Sequence, residues 1–268
     1  MQRVIDAEHG KVALFGGAYS NWLATRAVVA DAVARGADAV WFLGDAGGFG
    51  PHPDRTIDAL RELPIRSIQG NYDDSVGNGR DDCGCGYTDP RDNRFAQLSY
   101  DYTLANTSAD HRRFLAGLPT SARIRVGARS VRLCHGSPRR VNEFLWESTT
   151  PTSFVSHLCR QSEVDLIACT HTGLHWARYD AEGRGVVNVG AVGRPANDGS
   201  TDVWYTLLEE RDGRLVHTFV PVAYDWRTLA DEMAREGLPP EFVATITTGW
   251  WTTCLEILPA RERAAGRF

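Results

Sequence analysis

The opening of the chain repeats one pattern. A short run that is apolar at nearly every position stops on a glycine or polar residue, and a helical stretch leads to the next run. The runs are Lys11–Gly16 (KVALFG) and Ala39–Leu43 (AVWFL), and Ile65–Ile68, with two polar residues, reads as a third, shorter strand. Strands without apolar–polar alternation suit a sheet covered on both faces. Between them, Trp22 to Arg35 carries apolar residues at helical spacing, with Ser20 as the expected N-cap and Gly36 as the stop. Pro53 fits a first helical position, and Ile57, Leu60 and Leu63 give that helix an apolar face before Pro64. Strand–helix–strand–helix–strand predicts an α/β core with parallel strands.

Residues 75–93 (SVGNGRDDCGCGYTDPRDN) break the rhythm and read as a long glycine- and aspartate-rich loop. Helical patterns return from Arg94 to Leu118. Ile124–Val126 with Val131–Cys134, and Val203–Leu208 through Arg214–Val220, read as hairpins, and Leu166–Cys169 and Val186–Val189 as further strands. A helical tail is expected from 226 to 268, and the whole of 1–268 is read as a single domain.

With 43% hydrophobic and 24% charged residues, disordered, collagenous and coiled-coil chains are excluded. No apolar run approaches the roughly 18–20 residues of a membrane span, so no membrane partner is expected. A net charge of −5 opposes affinity for extended nucleic acid. Met1–Gly10 lacks the basic-then-apolar layout of a secretion signal, which predicts a cytoplasmic protein whose six cysteines are reduced thiols or metal ligands rather than disulfides.

Asp45, Asn71, His135 and His171 each fall at or just past the end of an apolar strand. That edge of an α/β sheet is where ligands bind. One carboxylate, one amide oxygen and two imidazoles form a donor set for a divalent transition metal such as Zn, Fe or Mn. Taken singly, the Asp is as well explained as a turn cap and each His as a structural residue. The repeated strand-end context makes the four a candidate site.

Five segments then carry a resemblance: Leu43–Pro53 (LGDAGGFGPHP), Gly70–Asp73 (GNYD), Leu133–Pro138 (LCHGSP), Thr170–Arg178 (THTGLHWAR) and Asn188–Pro195 (NVGAVGRP). In order and spacing they resemble the calcineurin-like metallophosphoesterases, with their GD-x-x-G-x-G-P, GNHD, HG, GHTH and late N-x-G-S-x-G-x-P motifs. The resemblance covers roughly residues 11–225. It implies two mixed β-sheets packed face to face, flanked by helices, around a two-metal site that cleaves phosphate esters.

The departures from that pattern fall on one metal. The family's D-x-H-G-N becomes Gly17-Ala18-Tyr19-Ser20-Asn21, and the second histidine of GHTH becomes Gly173. The second-site ligands Asp45, Asn71, His135 and His171 are all retained, so the resemblance implies about one ion per chain. The histidine of GNHD is replaced by Tyr72. Tyr72, Tyr19 and an arginine such as Arg139 are expected to neutralise charge on the phosphorus, with Arg140, Arg178 and Arg194 as further forks for phosphate oxygens. Cys83, Cys85 and His175 are candidates for rebuilding the lost half. The expected substrate is a small phosphorylated molecule, and homo-oligomerisation is left open. The competing reading is a catalytically silent sensor that binds a nucleotide or phosphometabolite.

Overall fold

A computed structural model describes the backbone of residues 3–266 and the side chains from residue 8 onward. The ends of the expected domain and tail, Met1, Gln2, Arg267 and Phe268, lie outside the described residues. Two mixed sheets pack face to face. One has five strands, in the order β11 (Arg214–Val222), β10 (Val203–Arg211), β2 (Lys11–Phe15), β3 (Ala39–Phe42) and β4 (Ile65–Ser67). The other has six: β1 (Arg3–His9), β5 (Ser121–Val126), β6 (Arg129–Cys134), β7 (Leu166–Cys169), β9 (Gly185–Val189) and β8 (His175–Tyr179). β2, β3 and β4 are parallel, as the repeating opening pattern implies, and β5–β6 and β10–β11 are antiparallel hairpins.

Side-chain alternation explains why the central strands β2 and β3 are apolar at nearly every position. Val12 and Leu14 of β2 and Trp41 of β3 point into the layer between the sheets, where they meet Ile124, Leu133, Ala168 and Val187. Ala13, Phe15, Val40 and Phe42 point the other way, against α1 (Trp22–Ala34) and α2 (Pro53–Glu62). α6 (Thr152–Ser162) covers the outer face of the six-stranded sheet through Val155, Leu158 and Cys159.

Several local expectations are corrected. The N-cap of α1 is Asn21, whose Oδ1 accepts from Ala24 N at 3.0 Å, because Ser20 sits at φ +57° and cannot aim its hydroxyl along the helix. The segment 75–93 is only partly loop. α3 (Asn71–Asn78) begins at the GNYD motif, and α4 (Pro90–Ala105) begins where Asp89 accepts from Arg91 N. Strand β8 had no readable signal because HWARY, on a sheet edge, is neither a continuous apolar run nor an apolar–polar alternation. Past residue 225 the chain forms α7 (Trp226–Arg235), α8 (Pro240–Thr248) and α9 (Ala260–Ala265), with a non-helical stretch from Gly249 to Pro259.

Candidate metal centre

The four strand-end residues converge because the two sheets present the ends of β3, β4, β6 and β7 to one another. Asp45, His135 and His171 place ligand atoms within 4.8 Å of one another, all buried. His135 Nε2 lies 3.1 Å from Asp45 Oδ2 and 3.1 Å from His171 Nδ1. The other ring nitrogen of His135, Nδ1, faces the Leu43 carbonyl at 2.7 Å, which fixes the proton there and leaves Nε2 toward the cluster. Asn71 donates from Nδ2 to the Cys83 carbonyl at 2.9 Å. That orientation leaves Oδ1 buried with no donor among the described residues, and a buried amide oxygen without a partner is costly.

Asp73, the last residue of GNYD, builds the frame beneath this cluster. Its carboxylate accepts from the amides of Asp45 (2.8 Å), Ala46 (2.9 Å) and Gly70 (2.8 Å), tying the end of β3 to the start of α3. Burial, with Asp45 nearby, raises it to about 6 despite those amides. The approach is so close that a Cβ on Gly70 would overlap the Asp45 carboxylate. Two ligands sit in the left-handed region, Asp45 at φ +67° and His171 at φ +63°, where a non-glycine residue is strained. Such strain persists only where the surroundings enforce it.

The electrostatics suit a cation. Burial opposes charge on both Asp45 and His135, yet each holds the other, with Asp45 below the usual carboxylate range and His135 above the usual imidazole range. Burial, then the facing His135, pushes His171 down to about 3. His171 is therefore a neutral imidazole, the form that ligates metal. A buried amide oxygen without a partner, a carboxylate and two imidazoles fit a divalent transition ion. Over the cluster lie Phe144, whose ring is 4.3 Å from that of His171, and the loop after α3, tied down by Asn142 Nδ2 to the Gly84 carbonyl at 3.0 Å.

The residues expected around this centre are placed less uniformly. Tyr72 turns its hydroxyl to Ser99 Oγ (2.9 Å) and the Ala96 carbonyl on α4 rather than to the cluster. Tyr19, buried at φ +46°, fills the space beside Gly17, where a Cβ would lie 2.7 Å from its Cζ. Arg139 is half-exposed, paired with Glu143 at 3.2 Å and packed over Phe154, and it lines a surface pocket that His135 also borders. Arg178 is held by the Thr150 carbonyl. His175 sits on β8 between Trp204 and Phe219, away from the turn that carries His171. Cys83 and Cys85 form a disulfide across Gly84, against the expectation of reduced thiols. The left-handed Gly84 folds the two cysteines back on one another, and Cys85 Sγ lies 3.5 Å from Asn71 Nδ2. The other four cysteines are free and buried.

Two further contributors were not assigned a role from the sequence. Asn188, which opens the NVGAVGRP segment, orients the turn that carries His171, donating to the Thr170 carbonyl and Thr172 Oγ1, both at 2.9 Å. Trp251 arrives from the segment after α8 and lies 3.5 Å from the guanidinium of Arg194.

This frame, with candidate ligands at four strand ends between two mixed sheets, defines a metallophosphoesterase-type fold. The chain belongs to the calcineurin-like phosphoesterase superfamily, whose domain model matches residues 11–213. It is similar to a metallophosphoesterase from Sphaerobacter thermophilus, with 26% identity and a TM-score of 0.68 over 90% of this chain and 99% of that one. A hypothetical protein from Pyrococcus horikoshii shares the fold with a TM-score of 0.74 and 21% identity, over 92% of this chain and 100% of that one. Among curated sequences, an uncharacterized protein of Methanocaldococcus jannaschii is 24% identical over 240 residues, 85% of this chain and 93% of its own length.

Proposed function

We propose that the chain hydrolyses a phosphate ester of a small molecule at a single-metal centre held by Asp45, Asn71, His135 and His171. The observation that carries this is the cluster of Asp45, His135 and His171, whose ligand atoms lie within 4.8 Å of one another, together with Asn71 Oδ1, buried without a donor among the described residues. A divalent ion such as Zn, Fe or Mn, when bound, supplies Lewis acidity and an acidified water near neutral pH. The protein's own part is positioning. Leu43 fixes the tautomer of His135, Asp73 holds the backbone of residue 45, and Cys83 sets the face of Asn71. All four residues are buried, with Phe144 packed against His171 and the loop after α3 closed over Asn71.

The test is a panel of aryl phosphomonoesters and phosphodiesters, assayed with protein stripped by chelator and reloaded with one equivalent of Zn, Mn or Fe. Turnover is expected only after reloading, and His135→Ala is expected to lower kcat/KM by at least about a hundredfold. The same closed cover favours one other reading, a binding protein for a phosphorylated metabolite. That reading predicts ligand binding with no turnover on any panel member.

A further inference from the structure

Arg194 is a buried cation without a counter-charge. Only 5% of the residue is exposed, its Nε is buried without a partner, and it has no ion pair or hydrogen bond among the described residues. Other partly buried arginines find acceptors: Arg112 the Thr107 and Leu104 carbonyls, Arg123 the Ser162 carbonyl, and Arg132, whose Nε is also unpartnered, Ser162 Oγ through Nη1. Arg194 meets rings instead, with its guanidinium carbon 3.5 Å from the centre of Trp251, 5.0 Å from Phe49 and 5.6 Å from Tyr19. Aromatic faces offset part of the desolvation of a guanidinium but leave its donors unused.

Its location is as informative as its isolation. A Cβ built on Gly173, two residues past His171, would lie 3.5 Å from Arg194 Nη2 and 3.2 Å from Trp251. A Cβ on Gly17 would lie 2.9 Å from the Tyr19 hydroxyl. The positions from which relatives aim first-metal ligands thus point at Tyr19, Arg194 and Trp251. Gly17 and Gly173 have no ligand atoms, and the residues present do not fit a first metal ion.

We propose that the guanidinium of Arg194 stands in the place of the first metal and binds a phosphoryl oxygen of the substrate. A planar fork of donors matches a tetrahedral oxyanion, and the bound anion supplies the counter-charge that the described residues do not. Having no exchangeable water, Arg194 neutralises charge and orients the ligand but cannot generate a nucleophile. The proposal rests on the reading of the Asp45–His171 cluster as a phosphoryl site, though not on turnover there.

Inorganic phosphate is the probe, titrated calorimetrically into the full chain both metal-free and with one equivalent of zinc. The metal-free protein is expected to bind one phosphate, with sulfate competing and acetate not. Arg194→Met should weaken phosphate at least about tenfold and Arg194→Lys by less, with zinc content unchanged. In the unmutated protein, the Arg194 Nε–H NMR resonance, assigned by its loss in Arg194→Lys, should move and saturate with phosphate. An unmoved resonance, or equal phosphate affinity in Arg194→Met, overturns the proposal. Phosphate binding through Arg194 without turnover on the ester panel would overturn hydrolysis and leave this inference standing. Turnover with phosphate inhibition indifferent to Arg194→Met would do the reverse.

Discussion

Metal loading should stabilise the chain by an amount that can be worked out beforehand. Binding to the folded state alone adds RT ln(1 + [metal]/Kd), about 2.7 kcal/mol at a hundredfold excess over Kd. A melting entropy of about 2.1 cal/mol/K per residue, taken over 268 residues, is about 0.56 kcal/mol/K. The expected rise in Tm is therefore about 5 °C. Replacing His171 by Ala removes one of the two imidazoles facing Asp45. A hundredfold weaker site at the same metal concentration gains only about 0.4 kcal/mol, under about 1 °C. Differential scanning fluorimetry with zinc or manganese, alongside elemental analysis, measures both quantities. Wild type should hold about one ion per chain and the variant close to none, with unchanged far-UV circular dichroism. Equal shifts in wild type, His135→Ala and His171→Ala would refute the assigned ligands. Two ions per chain would refute the single-metal reading.

Gly44→Ala should lower stability by about 2–4 kcal/mol in urea unfolding and reduce metal content, since residue 44 sits at φ +96°. Its new Cβ would lie 2.6 Å from Gly70 Cα and 2.9 Å from His135 Nδ1. Tyr72→Phe, which strands Ser99 Oγ, should cost about 1 kcal/mol of stability yet change kcat by under about threefold; a larger fall in kcat would return the phenol to the reaction. Asp165 accepts from Ser130 N (2.8 Å) and Ser130 Oγ (2.9 Å); burial opposes its charge, but these bonds and Arg129 hold it below the usual 3.8. Its stabilisation is fully present above that value and lost as pH falls through the lower folded value, so Asp165→Asn should flatten the urea midpoint's acid limb, and an unchanged limb would refute this.

The parts of the site carried by strand ends were legible in the sequence, since Asp45, Asn71, His135 and His171 each follow a run whose apolar residues alternate between two buried layers. Parallel β2–β3–β4 and both hairpins were legible for the same reason. What was hidden depends on contacts distant in sequence or on backbone angles. The Asn21 cap turns on the left-handed Ser20, and β8 is an edge strand without a continuous apolar run. Arg194 was one of four similar arginines until the fold brought Trp251 to it from 57 residues downstream. Tyr72 looked like a phosphate donor because its place in GNYD was visible, whereas Ser99, which holds its hydroxyl, lies 27 residues away on α4.

The packing of Tyr19, Arg194 and Trp251 bears on whether this chain can revert to its relatives' pattern. Restoring the ligand types at Gly17, Tyr19 and Gly173 would place side chains on two glycines at φ +53° and +76° and drive residue 173 against Trp251. The restored cation would then share its space with a guanidinium. On the proposed single-metal reading, Trp251, which lies beyond the 11–213 span of the family domain, is part of what keeps a first site from being rebuilt.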